Sequence, residues 1–122
     1  MKHSHAIKLG QDGIAYVRIV GDGEKKDAQA FVDDAEKIFA RDRSVVYHAI
    51  VDMRESGESS YDGVVIYRQF LTHTQIGKVA FVLSPNVILK LLVTMAMSLK
   101  GQYARIFEST SEAKAWIERN EA

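Results

Sequence analysis

The sequence predicts an α/β fold: one domain over residues 1–122, with a mixed, mostly parallel sheet of five strands and four helices in the order ββαβαβαβα. Short apolar runs alternate with stretches of helical apolar spacing, the pattern of strands joined by right-handed crossovers. An Asp-Gly pair between the first two runs adds an antiparallel hairpin. At the centre, Val45 to Asp52 is almost continuously apolar, as a strand covered on both faces must be.

Ile7-Lys8-Leu9 and Ile14 to Val20 flank Gly10-Gln11-Asp12-Gly13 and make the hairpin. Gly21-Asp22-Gly23 reads as a turn, since the third glycine of a dinucleotide-binding loop is missing. In the helix that follows, Ala28, Phe31, Val32, Ala35, Ile38 and Phe39 share one stripe, with Asp33, Asp34, Glu36 and Lys37 on the other side. Beyond the central strand, Val64, Ile66, Tyr67, Phe70 and Leu71 give a helix from about Ser60 to Thr72, and Lys78 to Leu83 is the next strand. Ser84-Pro85 starts a helix that ends near Gly101, because serine caps well and proline gives up nothing at the first helical position. Tyr103 to Phe107 alternates like a half-exposed edge strand. Ser109-Thr110-Ser111-Glu112 matches a capping box ahead of Ala113, Trp116 and Ile117.

Composition excludes several classes. Sixteen basic residues balance sixteen acidic ones, and no window collects basic residues with interleaved aromatics, so the footprint of a nucleic-acid binder is missing. Cysteine is absent, which removes disulfide and thiolate chemistry. Met1-Lys2-His3-Ser4-His5 opens on polar residues without an apolar signal core, so the expected location is the cytoplasm. The longest apolar stretch, Val87 to Leu99, is interrupted by Lys90, Thr94 and Ser98 and is shorter than the roughly 20 residues of a membrane span, so no transmembrane segment is expected.

In open α/β sheets, ligands meet the loops beyond the carboxyl ends of the strands. Those loops are Gly21-Asp22-Gly23, Glu55 to Ser60, Ser84-Pro85-Asn86 and Glu108-Ser109, and they should share one rim. The acidic, serine-rich segment after the central strand is the leading candidate, with Asp52, Glu55, Glu58, Tyr61 and Asp62 as a partner-binding rim. Ser59-Ser60-Tyr61-Asp62 fits a capping box in which Ser59 caps the helix and Asp62 reaches back. Ser60, one position further in, is then left without a capping role and able to face solvent. A phosphate there would bring about two negative charges to the positive end of the helix dipole. Ser60, with Ser59 beside it, is the candidate phosphoacceptor.

The order of elements, the strand ending in Val51-Asp52, the step Glu58-Ser59-Ser60 into a helix, and Arg105-Ile106-Phe107 followed by Glu112 to Ile117 together resemble the STAS superfamily. Within it the chain is most similar to the SpoIIAA-like proteins, relatives of bacterial anti-sigma-factor antagonists, over nearly its whole length. In those antagonists a serine of an Asp-Ser-Ser-Gly pattern is phosphorylated by a kinase that is itself an anti-sigma factor, which ends the partnership. The second serine maps to Ser60, while Glu58 replaces the aspartate and Tyr61 the glycine. The resemblance implies a non-catalytic protein-interaction module, with a kinase-like anti-sigma factor as the expected partner.

Other residues have plainer explanations. His3 and His5 lie near a loose terminus, His48 is a satisfied core histidine, and His73 suits a helix end, so neither a metal nor a cofactor is expected. Asp52, Glu55, Glu58 and His48 are near one another only in sequence, and no catalytic constellation emerges. Leu89, Val93 and Met97 form a second apolar stripe on the helix after Pro85. That stripe suggests either a contact in a homodimer or the wall of a site for a lipid or other apolar molecule, the alternative function.

Overall fold

The computed structural model describes residues 4–84 and 104–119, and at residues 58, 59, 61 and 64 it describes the backbone alone. The elements are β1 (Ser4–Leu9), β2 (Ala15–Gly23), α1 (Lys25–Phe39), β3 (Tyr47–Ser59), α2 (Tyr61–Leu71), β4 (Ile76–Val82), β5 (Ala104–Phe107) and α3 (Thr110–Glu118). The described residues thus give three helices and the order ββαβαββα, against four and ββαβαβαβα expected. The predicted helix from Ser84 to Gly101, with Leu89, Val93 and Met97, lies outside them.

The sheet order is β1-β2-β3-β4-β5, with β1 antiparallel to β2 and every later pair parallel. Because each right-handed crossover steps to the next strand in the same direction, α1 and α2 fall on one face. There Ala15, Val17, Ala49, Val51, Val79 and Phe81 pack against Phe31, Ala35, Phe39 and Phe70. Burial of an aromatic side chain such as Phe31 or Phe81 contributes about 1.5–3 kcal/mol. On the other face α3 sets Ala113, Trp116 and Ile117 over Ile50, Ala80 and Val82. With a helix layer on both sides, Ala49 to Val51 is buried throughout, as its apolar run requires.

The hairpin turns at Gly13, whose φ of 80° is the left-handed conformation glycine adopts freely. The Ile14 amide donates to Asp12 Oδ1 at 3.0 Å, an Asx-type closure of the same turn. Ser109 caps α3, accepting from the Glu112 amide at 3.3 Å. Gln75, buried and silent in the sequence pattern, turns its amide nitrogen on the carbonyls of Phe39, Asp42 and Val45 at 3.2, 2.9 and 3.1 Å. It thereby fixes the connection from α1 to β3.

Two expectations change. Gly21-Asp22-Gly23 is the end of β2 and not a turn, and the segment after Asp52 is strand as far as Ser59. The cause is pairing between the two: Val20 lies opposite Glu55, Gly21 opposite Ser56 and Gly23 opposite Ser59, with register shifts on the way. Each shift gives β3 one residue more than β2, which bends the ribbon without ending it. A φ of 78° at Gly21 marks the second bend.

Candidate functional site

Past Val82, the end of β4, only β2 accompanies β3, so Met53 to Ser59 forms a two-stranded ribbon beyond the main sheet. The ribbon carries the start of α2. Ser60 is the N-cap: its backbone is extended, and its Oγ accepts from the Gly63 amide at 3.1 Å. The Ser60 amide donates to the Gly23 carbonyl at 3.0 Å, and its hydroxyl approaches the same oxygen at 3.4 Å.

This reverses the expected roles of the two serines. Ser59 is still in β3, opposite Gly23, so the first residue free to turn into the helix is Ser60. Asp62 consequently sits in the first turn, exposed, where its charge suits the helix dipole but it is not the distal residue of a capping box. Ser60 itself remains exposed, which a modification site requires. For Glu58, Ser59 and Tyr61 only backbone positions on the ribbon and the helix start are described.

Two glycines allow the close approach. A Cβ at Gly63 would run into the Gly23 carbonyl oxygen, and one at Gly57 would meet the Asp22 side chain and lie 3.2 Å from the Asp22 amide. Gly63 therefore lets α2 start directly against the end of β2. Its signal in the sequence is a glycine three residues after a capping serine.

The acidic residues of the rim are not equivalent. Asp52 accepts from Arg54 Nε at 3.0 Å and Nη2 at 2.8 Å, and from the Arg54 amide at 3.2 Å. Hydrogen bonding from the Arg54 side chain holds its carboxyl below the usual range. Glu55 is paired across the ribbon with Arg18. Asp52 and Glu55 are thus brought together on one side of the ribbon, each with its own arginine, while Asp62 lies round the start of α2. Arg18 and Arg54 escape a search for acidic motifs, although Asp52 and Arg54 two apart on a strand necessarily share a face.

His5 also belongs here, and its expected place at a loose terminus is corrected. It lies in β1, its ring stacked on Tyr67 of α2 with centroids 5.7 Å apart. Nε2 lies 3.0 Å from the Asp22 carbonyl oxygen, which only accepts, so Nε2 carries the proton; Nδ1 then accepts from the Tyr67 hydroxyl. Burial, then the Asp27 charge, pushes the Tyr67 phenol far above its ordinary pKa, so it stays a donor. His5 thereby ties the edge strand to the base of the ribbon.

No group of three or more His, Asp or Glu among the described residues is placed to hold a metal ion. No helix among them is long and apolar enough to cross a membrane. His48 is satisfied within the sheet, its Nδ1 accepting from the Lys78 amide at 2.9 Å.

These features define a class: a small mixed-sheet α/β module with a serine-capped helix at the end of its central strand. The SpoIIAA-like family model matches residues 14–118, and the chain belongs to that family. Its fold is similar to the crystal structure of an uncharacterized protein of the DUF3478 family, with a SpoIIAA-like fold, from Shewanella loihica PV-4; TM-score 0.72, 18% identity, 95% of each chain covered. It is also similar to the anti-sigma factor antagonist SpoIIAA in its unphosphorylated form, with a TM-score of 0.66 and 9% identity over 97% of this chain and 100% of that one. At those identities the likeness is one of fold. Among curated proteins, no sequence matches.

Proposed function

We propose that the chain is a non-catalytic regulatory module of the bacterial cytoplasm. Its partner surface is the ribbon from Asp52 to Ser59 with the start of α2, and phosphorylation of Ser60 switches it. The observation that carries this reading is Ser60 itself, exposed at the N-cap of α2 and hydrogen-bonded to the end of β2. A phosphate on its Oγ adds about two negative charges where the helix dipole and the Gly63 amide favour them, so the fold tolerates the modification. The same charge lies beside Asp62 and changes the surface a partner meets. The expected partner is a kinase-like anti-sigma factor, by the family relationship.

The test combines such an anti-sigma factor from the same genome with the full chain and Mg-ATP. One phosphate is expected, mapped to Ser60 by tandem mass spectrometry and absent from Ser60→Ala. Ser60→Asp should weaken binding by at least about 10-fold while Ser60→Ala binds normally. Equal binding by both variants would remove the switch.

A further inference from the structure

We infer that the end of the molecule opposite the ribbon binds an oxyanion, a phosphate group in chemical class, through Lys78 and Arg105 at the Trp116 ring, with the His48 imidazole beside Lys78 and Arg119 at the adjoining end of α3. These residues lie near the starts of β3, β4 and β5 and at the end of α3, whereas the ribbon lies beyond the carboxyl ends of the strands. The Lys78 ammonium is 5.3 Å, and the Arg105 guanidinium carbon 5.5 Å, from the centroid of the Trp116 ring. Two cations therefore share one indole. Lys78 Nζ donates to the Arg119 carbonyl at 3.0 Å, which brings the Arg119 backbone beside Lys78 and uses one of the ammonium's three protons.

His48 contributes a fixed donor. Its Nδ1 accepts from the Lys78 amide, so the proton of the neutral ring is on Nε2, and the ring is held below its ordinary pKa by burial and then by the Lys78 charge. The lack of a carboxylate beside Lys78 and Arg105, among the described residues, sets this pair apart from several, though not all, of the other cations. Arg18, Lys37, Arg43, Arg54 and Lys114 each have a carboxylate partner. Among the described residues no carboxylate is paired with Lys78 or Arg105, although the two cations lie over one ring. Like charges held together repel, and an anion between them relieves that repulsion while using their unfilled donors. The planar fork of arginine with a lysine beside it is the donor set that phosphate oxygens take. Two cations side by side suit one or two phosphate groups, whether on a soluble molecule or on a lipid headgroup.

Trp116 is the chain's one tryptophan, so its emission reports directly on this site. The full chain is titrated with inorganic pyrophosphate, with sodium chloride at matched ionic strength, and with vesicles of phosphatidic acid or of phosphatidylcholine. A saturable change with pyrophosphate or phosphatidic acid, absent with chloride and phosphatidylcholine, is expected. The midpoint should move by at least about 10-fold in Arg105→Gln and Lys78→Gln and stay put in Ser60→Ala. Response to pyrophosphate identifies a soluble ligand, and response to phosphatidic acid alone a lipid headgroup. No saturable response to either, or one midpoint for the parent and both charge variants when circular dichroism shows all three folded, overturns the inference. Because Ser60 is at the other end, failure here leaves the proposed switch untouched.

Discussion

The two halves of β3 are one strand in the chain and two materials in the fold. The strand is paired with β4 from Tyr47 and with both β2 and β4 from Ala49 to Asp52, and its inner residues Ala49, Ile50 and Val51 are buried. From Met53 to Ser59 it is paired with β2 alone, across register shifts, and most of the residues whose side chains are described there are polar. The first half holds the domain together by excluding water. The second is held out to solvent by a single neighbour, by ion pairs at its surface and by the helix start it carries, and that half can change its charge without cost to the core.

Substitution separates the halves most strongly. Ile50→Ala removes a fully buried side chain packed against α3 and should cost about 2–5 kcal/mol in urea unfolding. Glu55→Ala removes only an exposed pair with Arg18 and should cost less than about 1 kcal/mol. Similar losses for the two would mean that the ribbon is part of the core and break the distinction.

Gly63→Ala probes the point where the ribbon meets the helix. Alanine favours a helix interior over glycine by roughly 0.5–1 kcal/mol, but here its Cβ would strike the Gly23 carbonyl, backbone that cannot rotate away. A net loss of about 1–3 kcal/mol in the same unfolding assay is expected. Gly57→Ala should cost less, because the nearest atom it meets belongs to the Asp22 side chain, which can turn aside. The reverse order would mean that the close contact between α2 and β2 is not what fixes Ser60.

The first half of β3 was legible and the second was not, for one reason. An apolar run records burial, so Val45 to Asp52 reads as a covered strand from composition alone; the strand in fact begins at Tyr47, and Val46 before it is exposed. Strand character at Glu55 to Ser59 depends on pairing with Gly21 to Gly23, a tertiary fact, and serine, glycine and glutamate there read locally as a loop. The misplaced cap follows from the same gap: both serines fit a capping pattern, and only the knowledge that Ser59 is still paired with Gly23 selects Ser60. His5 was beyond reach, since its role needs β1, β2 and α2 to be assembled first.

The smallest expected effect is also the most specific, because the two halves should respond to acid in different windows. His48, in the buried half, has a lowered native pKa and an Nδ1 that accepts a backbone proton. Protonation is therefore easier in the unfolded chain, whose imidazole titrates near pH 6.5. The contribution of His48 is complete above about pH 6.5 and is lost as the pH falls through the lower native pKa. Solvent reaches part of the ring, so the loss should stay below about 1 kcal/mol. Asp52, where the ribbon begins, is also lowered, by Arg54, but its unfolded carboxyl titrates near pH 3.9. Its contribution persists to about that pH and drains only as the pH falls through a native value lower still. Urea unfolding across pH 3 to 7 should therefore show two separate declines in stability, the upper one absent from His48→Gln and the lower one reduced in Asp52→Asn. If one substitution removed both, the two halves of β3 would be a single electrostatic unit, and the ribbon could not change its charge without disturbing the sheet beneath it.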